Sequence, residues 1–411
     1  MLLPPKRARP IGARALRAAS AGRLLVAAAL ISGSLLAARG DSQEFLTQPA
    51  AAPALPAVGD PPPMYIADPL NATNLVGIPV GTAADMLPNW PRWFAGARGL
   101  VMTRTLPSGA VTMAPAGGSQ LTTSSAAATW PGGIDLYVGR WLGPRQQNAI
   151  EFIYWGVYGI GSSATATTSP AAISAIPQAP TASVGGTPAS AYLQNSASQT
   201  ISRSDLVNDV EINWVYSLWE RPEFLSQDPM LPSRSINLMW LAGFRFFELQ
   251  DVLTQTSFPG GGAPGTLDLN VATNNNLYGA QVGAKFDWRF MPSVRFTAVP
   301  KFMIAGNSIT NTSSLATGSG TQAVFTSGAP VNVHSTLGVF SWLGSVDTGV
   351  AWDVTDRWTL SMGYRVIGVG NIAQGDGQWP TVITGQSSIS GIDAGSSTLI
   401  HGGFAGFEGR F

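Results

Sequence analysis

Apolar and polar residues alternate along several long segments of the chain. From Tyr278 to Phe290 the even-numbered residues are apolar, and the odd-numbered ones are glycine, glutamine, lysine, aspartate and arginine. Residues 210–216, 236–246, 346–352 and 358–366 alternate in the same way. Since successive side chains of a strand point to opposite faces, each segment predicts a strand with one apolar face. Such lengths exceed the usual strand of about 5–6 residues and suit a tilted crossing of a bilayer.

The pattern predicts ten strands, and the connections between them differ in length. The strands are predicted at 93–104, 133–142, 148–160, 206–219, 235–250, 276–290, 294–306, 336–353, 357–370 and 398–411. The connections at 143–147, 291–293 and 354–356 are short, the one after 219 is of medium length, and the others are predicted to be long loops rich in Gly, Ser and Thr. Alternating short and long connections are typical of an all-β, transmembrane, antiparallel up-and-down β-barrel with short periplasmic turns and long extracellular loops. A hairpin arm at residues 322–331 would raise the strand number to twelve.

Two strands carry a residue that does not fit this pattern. Pro300 interrupts the strand predicted at 294–306, and it indicates a bulge or a gap in pairing because proline cannot donate to a ladder. Arg140 shares the apolar face of 133–142, which favours a position near a membrane edge.

The last predicted strand ends on an aromatic residue, Phe411. The last strand of a closed barrel must pair with the first, so we expect Phe411 to lie at the closing seam, on the periplasmic side. Aromatic residues also cluster near the short-turn ends of the strands, where an interfacial girdle is expected. These are Trp214, Tyr216, Trp288, Phe290, Trp352, Trp358, Phe407 and Phe411.

The start of the chain predicts export. Six basic residues between Lys6 and Arg23 precede an apolar run from Leu24 to Ala38, which is the layout of a signal peptide over 1–40. The run is shorter than the roughly 20 residues of a membrane-spanning helix, although an uncleaved anchor is the alternative interpretation. Residues 41–92 are rich in Pro and Ala and predict an extended periplasmic segment before a barrel over 93–411.

Composition and charge exclude several classes of function. Without residues 1–40 the chain keeps sixteen basic and 23 acidic residues, a net charge of −7, so no nucleic-acid partner is expected. The chain has no cysteine and only two histidines, and we predict no metal site and no cofactor. Charged residues make up 11% of the chain, against about 25% in ordinary soluble domains. This scarcity suits a surface that meets lipid.

Several segments resemble a known family. Residues 241–250, 276–290, 356–367 and 401–411 are similar to the beta-barrel porins of planctomycete bacteria. The resemblance covers most of 93–411 and implies a barrel in the bacterial outer membrane. The expected partners are outer-membrane lipid and the barrel-assembly machinery, which would bind the C-terminal strand, while the oligomeric state stays open.

The polar parity of the strands predicts a lumen with balanced charge. Eight-stranded barrels are filled by side chains and barrels of 16–18 strands leave a channel, so ten strands favour a narrow lumen of paired ions. We therefore predict an envelope-structural role or limited passage of small solutes. The charged side chains predicted to face the lumen are Arg98, Asp135, Glu151, Asp209, Glu211, Arg245, Lys285, Asp287, Arg289, Arg295, Lys301, Asp347, Asp353, Arg365, Glu408 and Arg410.

Two other functions stay open on the sequence alone. His334 and His401 lie near the long-loop ends of their strands, where some outer-membrane hydrolases carry a rim active site. Ser335 follows His334 but points to the opposite face, and no G-x-S-x-G motif is present, so we predict that the protein is not an enzyme. The long polar loops are also compatible with a surface adhesion or binding protein.

Overall fold

The computed structural model describes residues 91–115, 120–167, 173–175, 177–194, 196–219, 235–260 and 265–411. The predicted signal peptide (1–40) and nearly all of the predicted extension (41–92) lie outside these residues. No helix in the described part of the chain is long and apolar enough to cross a membrane.

Ten long strands form one antiparallel sheet that closes on itself. Each strand pairs with the next along the chain, and the last pairs with the first, so the predicted barrel is confirmed. Within the described residues the strands are β1 (Trp93–Arg104), β2 (Gly132–Leu142), β3 (Asn148–Ile160), β4 (Ser196–Ser217), β5 (Ile236–Pro259), β6 (Leu267–Met291), β7 (Val294–Thr317), β8 (Asn332–Asp353), β9 (Trp358–Ile372) and β10 (Ser396–Arg410).

The seam between β1 and β10 is joined as the C-terminal aromatic predicted. Phe94 pairs with Arg410. The Trp93 amide donates to the Phe411 carbonyl at 2.9 Å, and the Phe411 amide donates to the Trp93 carbonyl at 3.0 Å. The sheet therefore has no free edge at this seam, as a bilayer requires.

The barrel wall is taller on one side than on the other. The neighbouring strands β4 to β8 are 22 to 25 residues long, whereas β1, β2, β3, β9 and β10 have 11 to 15 residues. The prediction of long loops between β5 and β6 and between β7 and β8 was wrong, because the structure leaves only 260–266 and 318–331 as connections there. Most residues assigned to those loops continue the strands.

The prediction failed because the apolar and polar faces of these strands exchange sides partway along. In β6 the outward residues are apolar from Tyr278 to Phe290, but Asn270, Asn274 and Asn276 face outward further along. At the same point the inward side becomes apolar, with Leu267 fully buried. We call the apolar outer part the belt and the remainder of β4 to β8 the extension. The extension adds roughly ten residues per strand, about 30 Å of strand at about 3.3 Å per residue.

The long loops fold against the inner face of the extension. Two small sheets form there, one from Val111–Pro115, Leu121–Thr122 and Ile173–Ala175, the other from Ala182–Val184, Thr187–Pro188 and Val324–Phe325. The predicted alternative of a twelve-stranded barrel is thus wrong, because residues 322–331 add no strand to the ring: Gln322, Ala323 and Val331 bond to the barrel wall at the end of β7, and Val324–Phe325 pair with the loop at Ala182 and Ser183.

Pro300 coincides with a break in the strand pairing, one of the two outcomes predicted for it. Strands β6 and β7 pair at Gly283 with Lys301 and again at Phe286 with Ala298, with nothing paired between. The register is the same on both sides, so this is a gap rather than a bulge. Arg140 points outward beside the Trp93 ring, 5.2 Å from its centre, at the end of β2.

Gly406 provides a test of the seam. A Cβ at this inward position of β10 would collide with the Ala97 carbonyl oxygen and the Arg98 Cα of β1. We expect Gly406→Val to reduce the folded fraction sharply, measured as the heat-modifiable band in gels of membrane fractions. Ala405→Val, next to it on the exposed outer face, is the control and should fold like the wild type. Equal folding of both variants would contradict this account of the seam.

Candidate functional site: the lumen of the barrel

All sixteen charged residues predicted to face the lumen lie on the parity opposite to the belt, and the structure brings them together in two groups. Six lie near the short-turn end and form the rim group: Asp287, Arg289, Arg295, Asp353, Glu408 and Arg410. Ten lie further in and form the central group: Arg98, Asp135, Glu151, Asp209, Glu211, Arg245, Lys285, Lys301, Asp347 and Arg365.

Asp353 is the centre of the rim group. Its carboxylate accepts from Arg295 at 2.6 Å, from the Thr359 hydroxyl at 2.6 Å and from Arg410 at 3.3 Å. Arg410 also donates to Glu408 at 3.1 Å. Strands β7, β8, β9 and β10 are thereby tied together by charge-assisted hydrogen bonds, which are stronger than neutral ones.

Several ion pairs of the central group join strands that are not neighbours. Arg365 of β9 donates to Asp135 of β2 at 2.9 Å, and it also donates to Asp347 of the neighbouring strand β8 at 2.7 Å. Lys285 of β6 contacts Glu151 of β3 at 2.7 Å. Such contacts reach across the lumen, so at this level side chains occupy the space that an open pore would need.

Two further pairs of the central group are equally close. Arg245 donates to Asp209 at 2.6 Å, and Lys301 contacts Glu211 at 2.8 Å. Both carboxylates are buried. Because burying a charge is costly unless it is paired, these pairs stabilise one closed arrangement of the lumen.

Arg365 gives a direct test of this pairing. Arg365→Ala would leave Asp135 and Asp347 without their main cationic partner, and breaking a buried pair costs about 3–5 kcal/mol. We expect the temperature at which the folded gel band disappears to fall clearly. Arg140→Ala removes an outward arginine at the short-turn end and should change this temperature little. The reverse order of effects would contradict the proposed importance of the central group.

An apolar layer crosses the lumen beyond the central group. Trp155 of β3 and Phe247 of β5 pack with their ring centres 6.3 Å apart, and their exposed fractions are 1% and 0%. Arg365 lies beneath, 5.2 Å from the Trp155 ring. The other buried members of the layer are Met102, Val157, Leu249, Leu277, Met303, Leu343, Ile367 and Ile400. The predicted lumen was filled largely by paired ions and hydrogen bonds, and this layer was not foreseen.

A third charge group, the upper group, lies beyond the apolar layer and was also missed. It consists of Arg104, Arg203, Asp205, Asp251 and Asp376, all buried. Asp251 accepts from Arg104 at 2.7 Å and from Arg203 at 2.9 Å, and Arg203 donates to Asp376 at 2.7 Å. Arg104 contacts Asp205 at 2.7 Å. Three carboxylates thus surround two guanidinium groups.

The upper group anchors the connection between β9 and β10. Besides Asp376, this loop supplies the Gly375 amide, which donates to Asp251 at 3.0 Å. Its Trp379 and Ile383 are buried among apolar residues of the extension, including Leu253 and Leu269. The loop therefore lies over the long-loop end of the lumen and is held there by both charge and apolar packing.

A cavity of about 180 Å³ lies between the rim group and the central group. Its wall is mixed, with Phe94, Tyr137 and Phe404 beside charged members of both groups. Arg98 lies over the Tyr137 and Phe404 rings, 4.7 and 5.1 Å from their centres. We call this cavity the chamber.

The two histidines lie on the outer face. His401 Nδ1 is 2.6 Å from the Tyr364 hydroxyl, and the His401 ring packs edge-on against Trp130. His334 Nδ1 is 3.1 Å from the Thr312 hydroxyl. Within the described residues these hydroxyls are their hydrogen-bond partners, and neither histidine lies near a carboxylate in an arrangement typical of hydrolysis.

A closed antiparallel barrel with an apolar belt and a charged lumen is the architecture of outer-membrane β-barrel proteins. Residues 110–397 match the model of the family described as "Putative beta barrel porin-7 (BBP7)". This match spans more than half of the chain, and the chain belongs to that family.

Solved structures with a similar barrel have low sequence identity. The outer membrane protease OmpT from Escherichia coli is 11% identical, with a TM-score of 0.43, and the alignment covers 80% of this chain and 100% of OmpT. The translocator domain of the autotransporter NalP from Neisseria meningitidis is 8% identical, with a TM-score of 0.35, over 80% and 92% of the two chains. The toluene transporter TodX from P. putida is 9% identical, with a TM-score of 0.28, over 79% and 91%. No curated protein matches the sequence.

Proposed function

We propose that this barrel is an envelope-structural protein of the outer membrane whose lumen admits small solutes to a limited extent only. The observation that carries the proposal is the apolar layer between the central and upper charge groups. An aqueous channel needs a continuous polar path, and this layer interrupts it with fully buried side chains such as Phe247 and Leu277.

The charge groups on either side support the same function. Opening the lumen would separate Arg365 from Asp135 and Arg104 from Asp251, both buried pairs. Charges that are buried without a partner are strongly unfavourable, so the closed arrangement is favoured over a partly open one. A lumen filled in this way is more compatible with a protein that strengthens the envelope than with a wide diffusion pore.

Recording from single barrels in planar lipid bilayers tests this proposal. The purified full-length protein should give small, infrequent current steps in salt solution, and vesicles containing it should swell slowly in small sugars. A large and steady open-channel current would overturn the closed-lumen proposal.

Export and assembly form a second part of the proposal. Residues 1–40 would direct secretion, residues 41–92 would lie in the periplasm, and the assembly machinery would bind the C-terminal strand through Phe411. Removing Phe411 alone should reduce the amount of folded barrel in the outer membrane, whereas Phe411→Trp should retain it. Equal amounts in all three proteins would contradict this role of the C-terminal aromatic.

A surface-binding function is a second candidate, and the extension favours it. The outer face of the extension carries hydroxyl and amide side chains, among them Thr254, Asn270, Asn274 and Thr310, on a continuous paired sheet. Such a face can form many hydrogen bonds with a polar ligand at the cell surface.

Protease sites inserted into loops test whether the extension is exposed. A site between Gly185 and Gly186 should be cut on intact cells, whereas a site between Thr355 and Asp356 should be cut only after the outer membrane is opened. If the first site is reached, replacing Asn270, Asn274 and Asn276 by Ala should weaken attachment of the cells to surfaces. Unchanged attachment would leave the extension without a binding role.

A further inference from the structure

The strands β6 and β7 have a gap in their pairing. Two cavities lie on opposite sides of the barrel wall at this gap. The unpaired positions are Ala284 and Lys285 on β6 and Val299 and Pro300 on β7. On its other side β7 keeps its pairing, since Val299 and Pro300 pair with β8. The loss of pairing is therefore local.

The outer cavity has a volume of about 420 Å³ and includes the outward members of the gap, Ala284 and Pro300. Trp240 and Phe302 form its walls, and the small residues Gly283 and Gly344 leave room between them.

The outer cavity lies in the middle of the belt. Ala284 lies midway along the apolar part of β6, from Tyr278 to Phe290, and Pro300 lies within the outward apolar run of β7. In a bilayer the belt meets the hydrocarbon core, so at this depth the neighbouring molecules are acyl chains. The position of the cavity thus identifies what it would contact.

The inner cavity is the chamber, and it includes the inward members of the same gap, Lys285 and Val299. Met239 and Thr297 line the chamber next to them. The chamber and the outer cavity are thus separated only by the segment of wall that has no pairing between its strands. Elsewhere in the described part of the belt, paired strands separate lumen from lipid, apart from a register shift at Phe290 beside the short turn.

We propose that the gap is a lateral opening, through which an acyl chain of a membrane lipid enters the wall and reaches the chamber. An apolar chain fits the outer cavity, and Val299 and Met239 continue the apolar surface on the inner side. Pro300 keeps the opening free because it cannot donate a ladder hydrogen bond, and Ala284 keeps it free because its side chain is short. This inference goes beyond the closed lumen, since it concerns exchange with the bilayer and not passage across it.

A photoreactive lipid tests the proposal on the full-length barrel. The protein is placed in phosphatidylcholine vesicles containing a phospholipid with a diazirine near the end of one acyl chain, irradiated and digested, and the adducts are located by mass spectrometry. Adducts are expected on the inward residues Lys285 and Val299 as well as on the outward residues Ala284 and Phe302. Labelling confined to outward residues would overturn the proposal.

Two matched variants sharpen the test. Pro300→Val restores an N–H donor and fills the opening, so labelling of Lys285 and Val299 should fall to background while Phe302 stays labelled. Ala298→Val adds bulk to the same outer face where pairing is intact, and it should leave labelling of Val299 unchanged. Inner labelling that persists in folded Pro300→Val protein would show that the chain does not enter at the gap.

A bulkier residue at Ala284 provides a second route if Pro300→Val does not fold. Ala284→Leu fills the opening from the β6 side and leaves Pro300 in place, so labelling of Lys285 and Val299 should again fall to background while Phe302 stays labelled. Ala280→Leu adds the same bulk to the outward face of β6 where pairing is intact, and it should leave this labelling unchanged. Inner labelling that persists in folded Ala284→Leu protein would overturn the proposal.

Discussion

Replacing Asp251 by Asn should release the loop between β9 and β10 and destabilise the barrel. Both carboxylate oxygens of Asp251 accept hydrogen bonds: Oδ1 from Arg203, and Oδ2 from Arg104 and the Gly375 amide. An asparagine would place an NH₂ group against one of these donors in either orientation of its amide. The loss of a buried ionic partner costs about 3–5 kcal/mol.

Two measurements check this expectation. The folded gel band should disappear at a lower temperature, and limited proteolysis should cut near Trp379, which is buried in the wild type. Asp205→Asn is the matched control, because the contact between Asp205 and Arg104 uses one oxygen only. Its amide can keep an oxygen towards Arg104, whose charge stays paired with Asp251, so the loss of stability should be clearly smaller than in Asp251→Asn. Equal loss in both variants would mean that the charge of the group matters more than the geometry of Asp251.

Replacing both Trp155 and Phe247 by Ala should produce a leaky barrel. The two rings pack against each other in the apolar layer, and each such replacement in a core costs about 3–5 kcal/mol. Water can enter the space they leave because charged groups lie on both sides of it. We therefore expect more frequent small-ion currents in planar bilayers and faster swelling of vesicles in small sugars.

The control for this experiment lies on the same two strands. Phe152 and Phe244 point outward from β3 and β5 and are 43% and 51% exposed. Replacing both by Ala removes aromatic volume from the belt but leaves the lumen filled, so conductance should not change. If the variant lacking Trp155 and Phe247 conducts as little as this control, then the loops beyond the upper group close the barrel, and the apolar layer does not.

The sequence was sufficient to predict the membrane-spanning part of the barrel. From Tyr278 to Phe290 the outer residues are apolar because they meet lipid, and the inner ones are polar because they meet the charged lumen. This contrast depends only on local sequence, so the ten strands, the closing seam and an irregularity at Pro300, either a bulge or a gap, could be predicted from it.

The extension could not be recognised by the same rule, since its two faces exchange character. Leu267 and Leu269 point inward to the folded loops, whereas Asn270 points outward to water. Their spacing still alternates, but the Asn, Ser and Thr content of these segments is typical of loops. In the sequence, the membrane boundary is marked only by the point at which the apolar residues move from the outward positions of the strand to the inward ones.

The upper group was missed for the same reason. Arg203, Asp205 and Asp251 lie just beyond the predicted ends of their strands, and Asp376 lies in a true loop. Their contacts join residues up to 173 positions apart, which no local pattern reveals. The parity of Arg203 and Asp205, which continues that of Asp209, was the available signal.

Because the wall is of unequal height, the protein presents two different sides within the plane of the membrane. A barrel in a bilayer can rotate only about the membrane normal, so neighbours always approach it from the side. On the side of β4 to β8 they meet a tall hydroxyl- and amide-rich sheet, and on the side of β1, β9 and β10 they meet low strands beneath loops. The surface that a neighbouring protein contacts in a dense membrane therefore depends on the side from which it approaches the barrel.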